Sequence, residues 1–125
     1  GGCVTSASAT ANDIVGLIRR HRLDLSNEKA TQQQLADLFT AQNILFEREK
    51  RLSTKDIVDF LVQGGIAVEV KLHGAKKMSV YRQLKRYATH NEVSELVLIT
   101  NLSMGLPPEI EGKPVYYASL GAAWL

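Results

Sequence analysis

This chain has one cysteine, Cys3, so neither an intramolecular disulfide nor a cysteine-cluster metal site can be built from it. It has little charge bias. Fifteen Lys and Arg against thirteen Asp and Glu leave a net charge of +2, too small for bulk charge to imply a nucleic-acid partner. What counts is where the charge lies. No apolar run approaches the ~18 residues of a membrane span, and no secretory pattern opens the sequence. The expectation is therefore a cytoplasmic protein without a membrane partner. Repeats and low-complexity linkers are missing too. The three prolines, Pro107, Pro108 and Pro114, all fall late in the chain, marking a loop and the start of a last strand. With 125 residues, 45% apolar and 22% charged, the sequence suits one globular domain with a modest core. Residues 1–11 read as a flexible N-terminal segment, and 12–125 as the domain.

Lys55 to Lys71, KDIVDFLVQGGIAVEVK, is the most informative stretch. It reads as two apolar strands around a Gly-rich turn, with Asp59, Glu69 and Lys71 where a sheet wants apolar side chains. Alternation sends Ile57, Asp59 and Leu61 to one face and Val58, Phe60 and Val62 to the other. On the second strand Ala67, Glu69 and Lys71 share a face. The turn decides whether the charges meet. A two-residue Gly64-Gly65 loop places Asp59 opposite Val70. A three-residue Gln63-Gly64-Gly65 loop pairs Val62 with Ile66 and Asp59 with Glu69, and supplies the left-handed glycine that such loops want. In that register the two acids are about 4.5–5.5 Å apart at Cβ and repel. A hard divalent cation, which takes carboxylate oxygens, would relieve the pair. The competing reading is a salt-bridge ladder on an exposed sheet face. It accounts for Lys71 but not for two facing acids flanked by apolar Leu61 and Ala67.

Around this hairpin the chain reads as follows. A first helix, capped by Thr10 or Asn12, carries Ile14, Val15, Leu17 and Ile18. A second runs from Ser26 or Asn27 to about Gln42, with Leu35, Leu38 and Phe39 on its apolar stripe. Glu28 projects from that same stripe. It suits the helix dipole and equally could overlook a site on the sheet. Ile44 to Ser53 reads as a half-exposed or edge strand dense in charge. After the hairpin and the HGAKK loop, a helix from Met78 to about His90, capped by Ser79, puts Val80, Leu84 and Tyr87 on one side with Gln83. Between Lys71 and Arg86 lie six Lys or Arg residues and no acid, the chain's one strong sign asymmetry. Glu95 to Asn101 reads as a strand buried on both faces, and Lys113 to Ala118 as the last strand. Leu120 to Leu125, with Trp124, reads as a terminal helical turn. The order is helix, helix, three strands, helix, strand, strand, which predicts an α/β fold: a mixed central sheet flanked by helices, with a parallel pair across the last helix.

Asp59, nine residues, Glu69-Val70-Lys71, and then Gln83-Leu84-x-x-Tyr87 on a helix resembles the PD-(D/E)XK nuclease superfamily, as does the αβββαβ order. The resemblance covers residues 28–101; Val58 stands where that pattern's proline would be. It implies a restriction-endonuclease-like core and a metal-dependent nuclease, in all expectation a DNA endonuclease. Asp59, Glu69 and the Val70 carbonyl would hold Mg²⁺ or Mn²⁺. Lys71 would stabilise charge at the phosphate beside the attacking water. Glu28 would reach the metal through water, Gln83 would orient Lys71, a water or a phosphate, and Tyr87 would pack behind. Lys76, Lys77, Arg82, Lys85 and Arg86 would meet the DNA backbone. Cutting both strands would call for a homodimer. The alternative is a non-catalytic nucleic-acid-binding or assembly module that retains the nuclease fold.

Overall fold

The computed structural model describes residues 9–24 and 26–119. Cys3, most of the expected N-terminal segment and the expected turn around Trp124 lie outside them. Among these described residues, three helices flank one mixed sheet. Helix α1 spans Ala11–Arg19 and α2 spans Glu28–Ala41; strands β1 (Phe46–Arg51), β2 (Ile57–Val62) and β3 (Ile66–Lys71) follow. Then come α3 (Lys77–Ala88), β4 (Glu95–Thr100), β5 (Glu109–Ile110) and β6 (Lys113–Ser119). The sheet order is β1-β2-β3-β4-β6-β5. The β1–β2 and β2–β3 pairs are antiparallel, whereas β3–β4 and β4–β6 are parallel. Helix α3 thus makes the crossover expected between two parallel strands, and β1 lies at an edge. Among the described residues no helix is long and apolar enough to cross a membrane.

Local chemistry explains the element ends. Thr10 and Asp13 close a capping box on α1, and Asn27 accepts the Ala30 N–H at the start of α2. The predicted start of α3 is corrected. The helix begins at Lys77, with Lys76 in the capping position and no side-chain hydrogen bond there. The chain turns at Gly74 (φ +93°) and is extended at Lys76, so Ser79 already lies inside the first turn. Strand β1 is shorter than the expected Ile44–Ser53, because Asn43 takes φ +60° and the Ile44 N–H donates to the Phe39 carbonyl. At its other end, Leu52 and Ser53 bond instead to the Asp56 carbonyl. Strand β5 is a further correction. Glu111-Gly112, both at positive φ, form the two-residue turn that folds Glu109–Ile110 back onto β6.

Two apolar layers hold the sheet. One packs Ile14, Ile18, Leu35 and Phe39 against Phe60, Val68, Val70, Val97 and Ile99, with Phe39, Phe46 and Phe60 in mutual edge-to-face contact. The other packs Val80, Leu84 and Tyr87 against Ala67, Leu96 and Leu98. Val58 belongs to this second layer, whereas Phe60 and Val62 belong to the first. The expected alternation along β2 therefore breaks at Asp59. The β1–β2 ladder skips the same place: Arg48 pairs with Phe60 and Lys50 with Val58, while Glu49 between them takes φ +48°. A strand partner in the left-handed region cannot keep the pleat, and the local twist increases.

The hairpin turn has the three-residue form. Val62 pairs with Ile66, and Gly64 and Gly65 take φ +101° and +86°. Gly65 is further confined: an added Cβ would meet Ser94 Oγ at 2.6 Å and the Glu92 carbonyl at 2.8 Å. Gly74, also at positive φ, has nothing within 4 Å. Gly65→Ala is expected to destabilise the protein by about 3 kcal/mol and Gly74→Ala by only about 1 kcal/mol, as read by urea denaturation. Equal losses would mean that the packing of the 92–95 segment onto this turn contributes nothing.

Candidate metal centre at the hairpin

The β2–β3 ladder runs from Val62↔Ile66 through Phe60↔Val68, and the next pair in register is Asp59 with Glu69. At that step carboxylates take over the backbone pairing. The Asp59 N–H donates to Glu69 Oε1 at 3.1 Å, and the Val70 N–H donates to Asp59 Oδ2 at 2.8 Å. Each acid thus holds the other strand's backbone with one oxygen. Because the N–H and C=O of a strand residue point to the same edge, the Val70 carbonyl also faces the β2 side.

Burial makes this pair costly to ionise. Glu69 is 3% exposed, and its pKa is pushed up to about 8 by desolvation first and the Asp59 charge second. Asp59 is raised for the same leading reason, with Glu28 adding repulsion, while the Val70 amide, Lys71 and a hydrogen bond from Gln32 pull it down. Lys71 Nζ lies 3.4 Å from Glu69 Oε2. Glu28, in the first turn of α2, accepts the Leu72 N–H at 3.2 Å. It thereby ties α2 to the end of β3. Tyr87 is buried behind the pair and donates its hydroxyl to the Ile57 carbonyl at 2.8 Å. Burial, then the negative charge of Glu69 and Asp59, raises its pKa and keeps the phenol protonated. Gln83 and Lys71 line a cavity of about 320 Å³ between β3 and the start of α3.

Among the described residues no group of three or more His, Cys, Asp and Glu side chains converges as a metal site. A cation at the hairpin would rest on two carboxylates and a backbone carbonyl. That donor set is all hard oxygen, the kind that Mg²⁺ or Mn²⁺ takes, and a divalent charge would offset the repulsion that burial imposes on the pair.

The basic residues divide. Lys76, Lys77 and Arg82 are exposed, and Lys76 lines the same cavity as Lys71 and Gln83. Lys85 pairs with Glu111 at 3.7 Å. Arg86 Nε donates to the buried Asp56 at 2.8 Å. His90 completes that second cluster with Nε2 3.1 Å from Asp56 Oδ2. Sequence reasoning passed over Gln32 and Asp56. Gln32 was legible as the residue one turn after Glu28 on the same helix face, whereas Asp56 meets Arg86 and His90 only through the fold.

The Asp56 cluster joins the β1–β2 turn to the end of α3, and its Arg86 contact holds the Asp56 carboxyl below the usual range. Its contribution to stability is present above the ordinary Asp pKa and is lost as pH falls through the lowered native value. Asp56→Asn is expected to cost about 2 kcal/mol at pH 7 and progressively less as pH falls into the acid range, measured by urea melts over a pH series. No protein-family model, curated protein or solved structure matches this chain.

Proposed function

We propose that this protein is a metal-dependent nuclease that hydrolyses phosphodiester bonds in DNA as an endonuclease. One observation carries the reading: a buried Glu69 and a half-buried Asp59 face each other where the β2–β3 ladder opens, with Lys71 beside them. A surface salt-bridge ladder offers no reason to bury Glu69 against a second, half-buried acid. The site also resembles, residue by residue, the acid, E-x-K and Q-L-x-x-Y pattern of the PD-(D/E)XK nucleases.

Asp59, Glu69 and the Val70 carbonyl would hold Mg²⁺ or Mn²⁺, which would lower the pKa of a water and polarise a phosphoryl oxygen. The chain's own residues do the rest. Lys71 places a positive charge where negative charge develops on the phosphate, and its pairing with Glu69 fixes its position. Glu28, held on the Leu72 amide, adds negative charge on the metal's side. Gln83, across the cavity from Lys71, offers an amide to a phosphate oxygen or to Lys71 itself. Tyr87 walls the acids from solvent on the α3 side. Lys76, Lys77 and Arg82 line the approach of the DNA backbone, with Lys85 and Arg86 contributing at its far end. Two-strand cleavage would bring two such sites together in a homodimer.

The test is cleavage of plasmid and linear DNA with Mg²⁺, set beside the Asp59→Asn protein and beside EDTA. The wild type nicks or cuts the DNA; the variant and the chelated protein are slower by at least about a thousandfold. A wild type that binds DNA but leaves it intact under every divalent cation identifies a non-catalytic nucleic-acid-binding module instead.

A further inference from the structure

The parallel strands β3, β4 and β6 end together, and their register places Lys71 beside Thr100 and Thr100 beside Ser119. Residues paired in register share a face of the sheet, so this row runs from the candidate centre along the face that α3 covers. At its far end lies a second cavity of about 210 Å³, lined by Thr100, Leu102, Met104, Leu106, Tyr117 and Ser119. Its wall is the loop 101–108 that connects β4 to β5. Lys77, at the start of α3, approaches that loop, its Nζ 3.9 Å from where a Cβ on Gly105 would stand.

The chemistry of this cavity differs from that around Lys71. Two leucines, a methionine and a tyrosine form an apolar and aromatic wall, and the Tyr117 ring is anchored by its hydroxyl on the Pro107 carbonyl at 2.8 Å. Thr100 Oγ1 accepts the Leu102 N–H at 3.0 Å, which directs its own hydrogen elsewhere. Ser119 adds a second hydroxyl at the exposed rim. A flat, weakly polar group with hydrogen-bonding edges fits such walls, and a phosphate does not. Adjacent strands lie about 4.8 Å apart, so the cavity begins one strand from Lys71 and ends two strands away, at about 10 Å. That is the reach from a phosphate to the base of its own nucleotide.

We propose that this cavity receives one unstacked nucleobase of the DNA, from the nucleotide adjoining the bond that is cut. The inference rests on the nuclease reading and narrows its substrate. A base seated there has left its partner and its stack, so the preferred substrate carries an unpaired nucleotide at the cut, as in single strands, flaps or frayed ends. Phosphates on either side meet Lys71, Lys76 and Lys77, while the base meets Tyr117 and the loop. Stacking of this kind tolerates any base, so the preference is for strand structure rather than sequence.

The experiment uses the full chain with Mg²⁺ and one oligonucleotide, presented single-stranded and as a perfect duplex, after its main cleavage bond has been mapped. The single strand is expected to be cut about tenfold faster than the duplex. Replacing the nucleotide beside the mapped bond by an abasic tetrahydrofuran is expected to lower kcat/KM about tenfold in the wild type. Ser119→Trp, which fills the cavity from its exposed rim, is expected to impose a similar loss on the intact strand and none on the abasic one. An abasic strand cut as fast as the intact one overturns the base cavity and leaves the nuclease reading standing. So does a Ser119→Trp loss of equal size on both strands. A protein that neither cuts nor binds either DNA overturns both.

Discussion

Replacing Lys71 by Met should slow Mg²⁺-dependent DNA cleavage about a thousandfold while leaving DNA affinity within a few-fold of wild type. The expectation follows from where Lys71 sits. It is half-buried at the end of β3, its ammonium 3.4 Å from Glu69 Oε2, and it borders the cavity that Gln83 also lines. A charge held there acts on the phosphate at the point of reaction, whereas the exposed Lys76, Lys77 and Arg82 contribute to binding along the backbone. Single-turnover cleavage separates the two, because a positioning or transition-state role lowers the rate at saturating protein and a binding role does not. Lys76→Met is the matched control, with a loss expected in affinity and little in the saturated rate. If both variants lose affinity alone, Lys71 belongs to the binding surface and the chemistry must be sought elsewhere.

The second large effect is on stability and concerns Glu69. Its carboxyl titrates higher in the native state, at about 8, than in an unfolded chain, where a Glu titrates near 4.5. The folded protein therefore binds more protons between these values. Stability contributed by the protonated acid is fully present below the unfolded value and is lost as pH rises through about 8. In the absence of divalent cations, the wild type should lose roughly 3 kcal/mol between pH 5 and pH 8.5 from this group. Glu69→Gln keeps an oxygen to accept the Asp59 N–H but carries no charge to bury. Its stability should fall less over the same range, the remaining slope coming from the raised Asp59, and at pH 8.5 it should exceed that of the wild type. Urea melts at a series of pH values read both curves. Mg²⁺ should lift the wild-type curve at high pH and leave that of Glu69→Gln where it is, because only the ionised pair gains from the cation. A wild-type curve as flat as the variant's would show that water reaches the pair and that burial sets no price on its charge.

The element order apart from β5, the parallel crossover through α3 and, as one of two candidates each, the caps at Thr10 and Asn27 were legible in the chain. Each depends on local periodicity or on a connection rule that operates over a few tens of residues. The hairpin register was legible for the same reason, since three residues of turn chemistry set it and the glycines took the positive φ that it needs. Four features were not. The alternation of β2 breaks at Asp59 because its neighbour strand distorts at Glu49, a residue with no turn signature of its own. Helix α3 begins without a capping side chain because the cap position falls on Lys76, whose side chain has no acceptor. The short β5 rests on a Glu-Gly turn that only a waiting β6 edge makes worth forming. Arg86 meets a buried acid, Asp56, from thirty residues away, a pairing that no local pattern carries.

The sequence by itself therefore placed Asp59 opposite Glu69 and Lys71 beside it, because two-residue periodicity and one turn are enough to do so. Only the tertiary structure decided what that meeting costs. Glu69 is buried because α3 lays Tyr87 over it, and the pair is bridged through backbone amides because β2 and β3 part at that step. Desolvation is a property of everything packed around a group, so no local pattern carries it. The cavity at Thr100, Tyr117 and Ser119 has the same origin: β4, a loop and β6 build it jointly, and no one of them shows it alone.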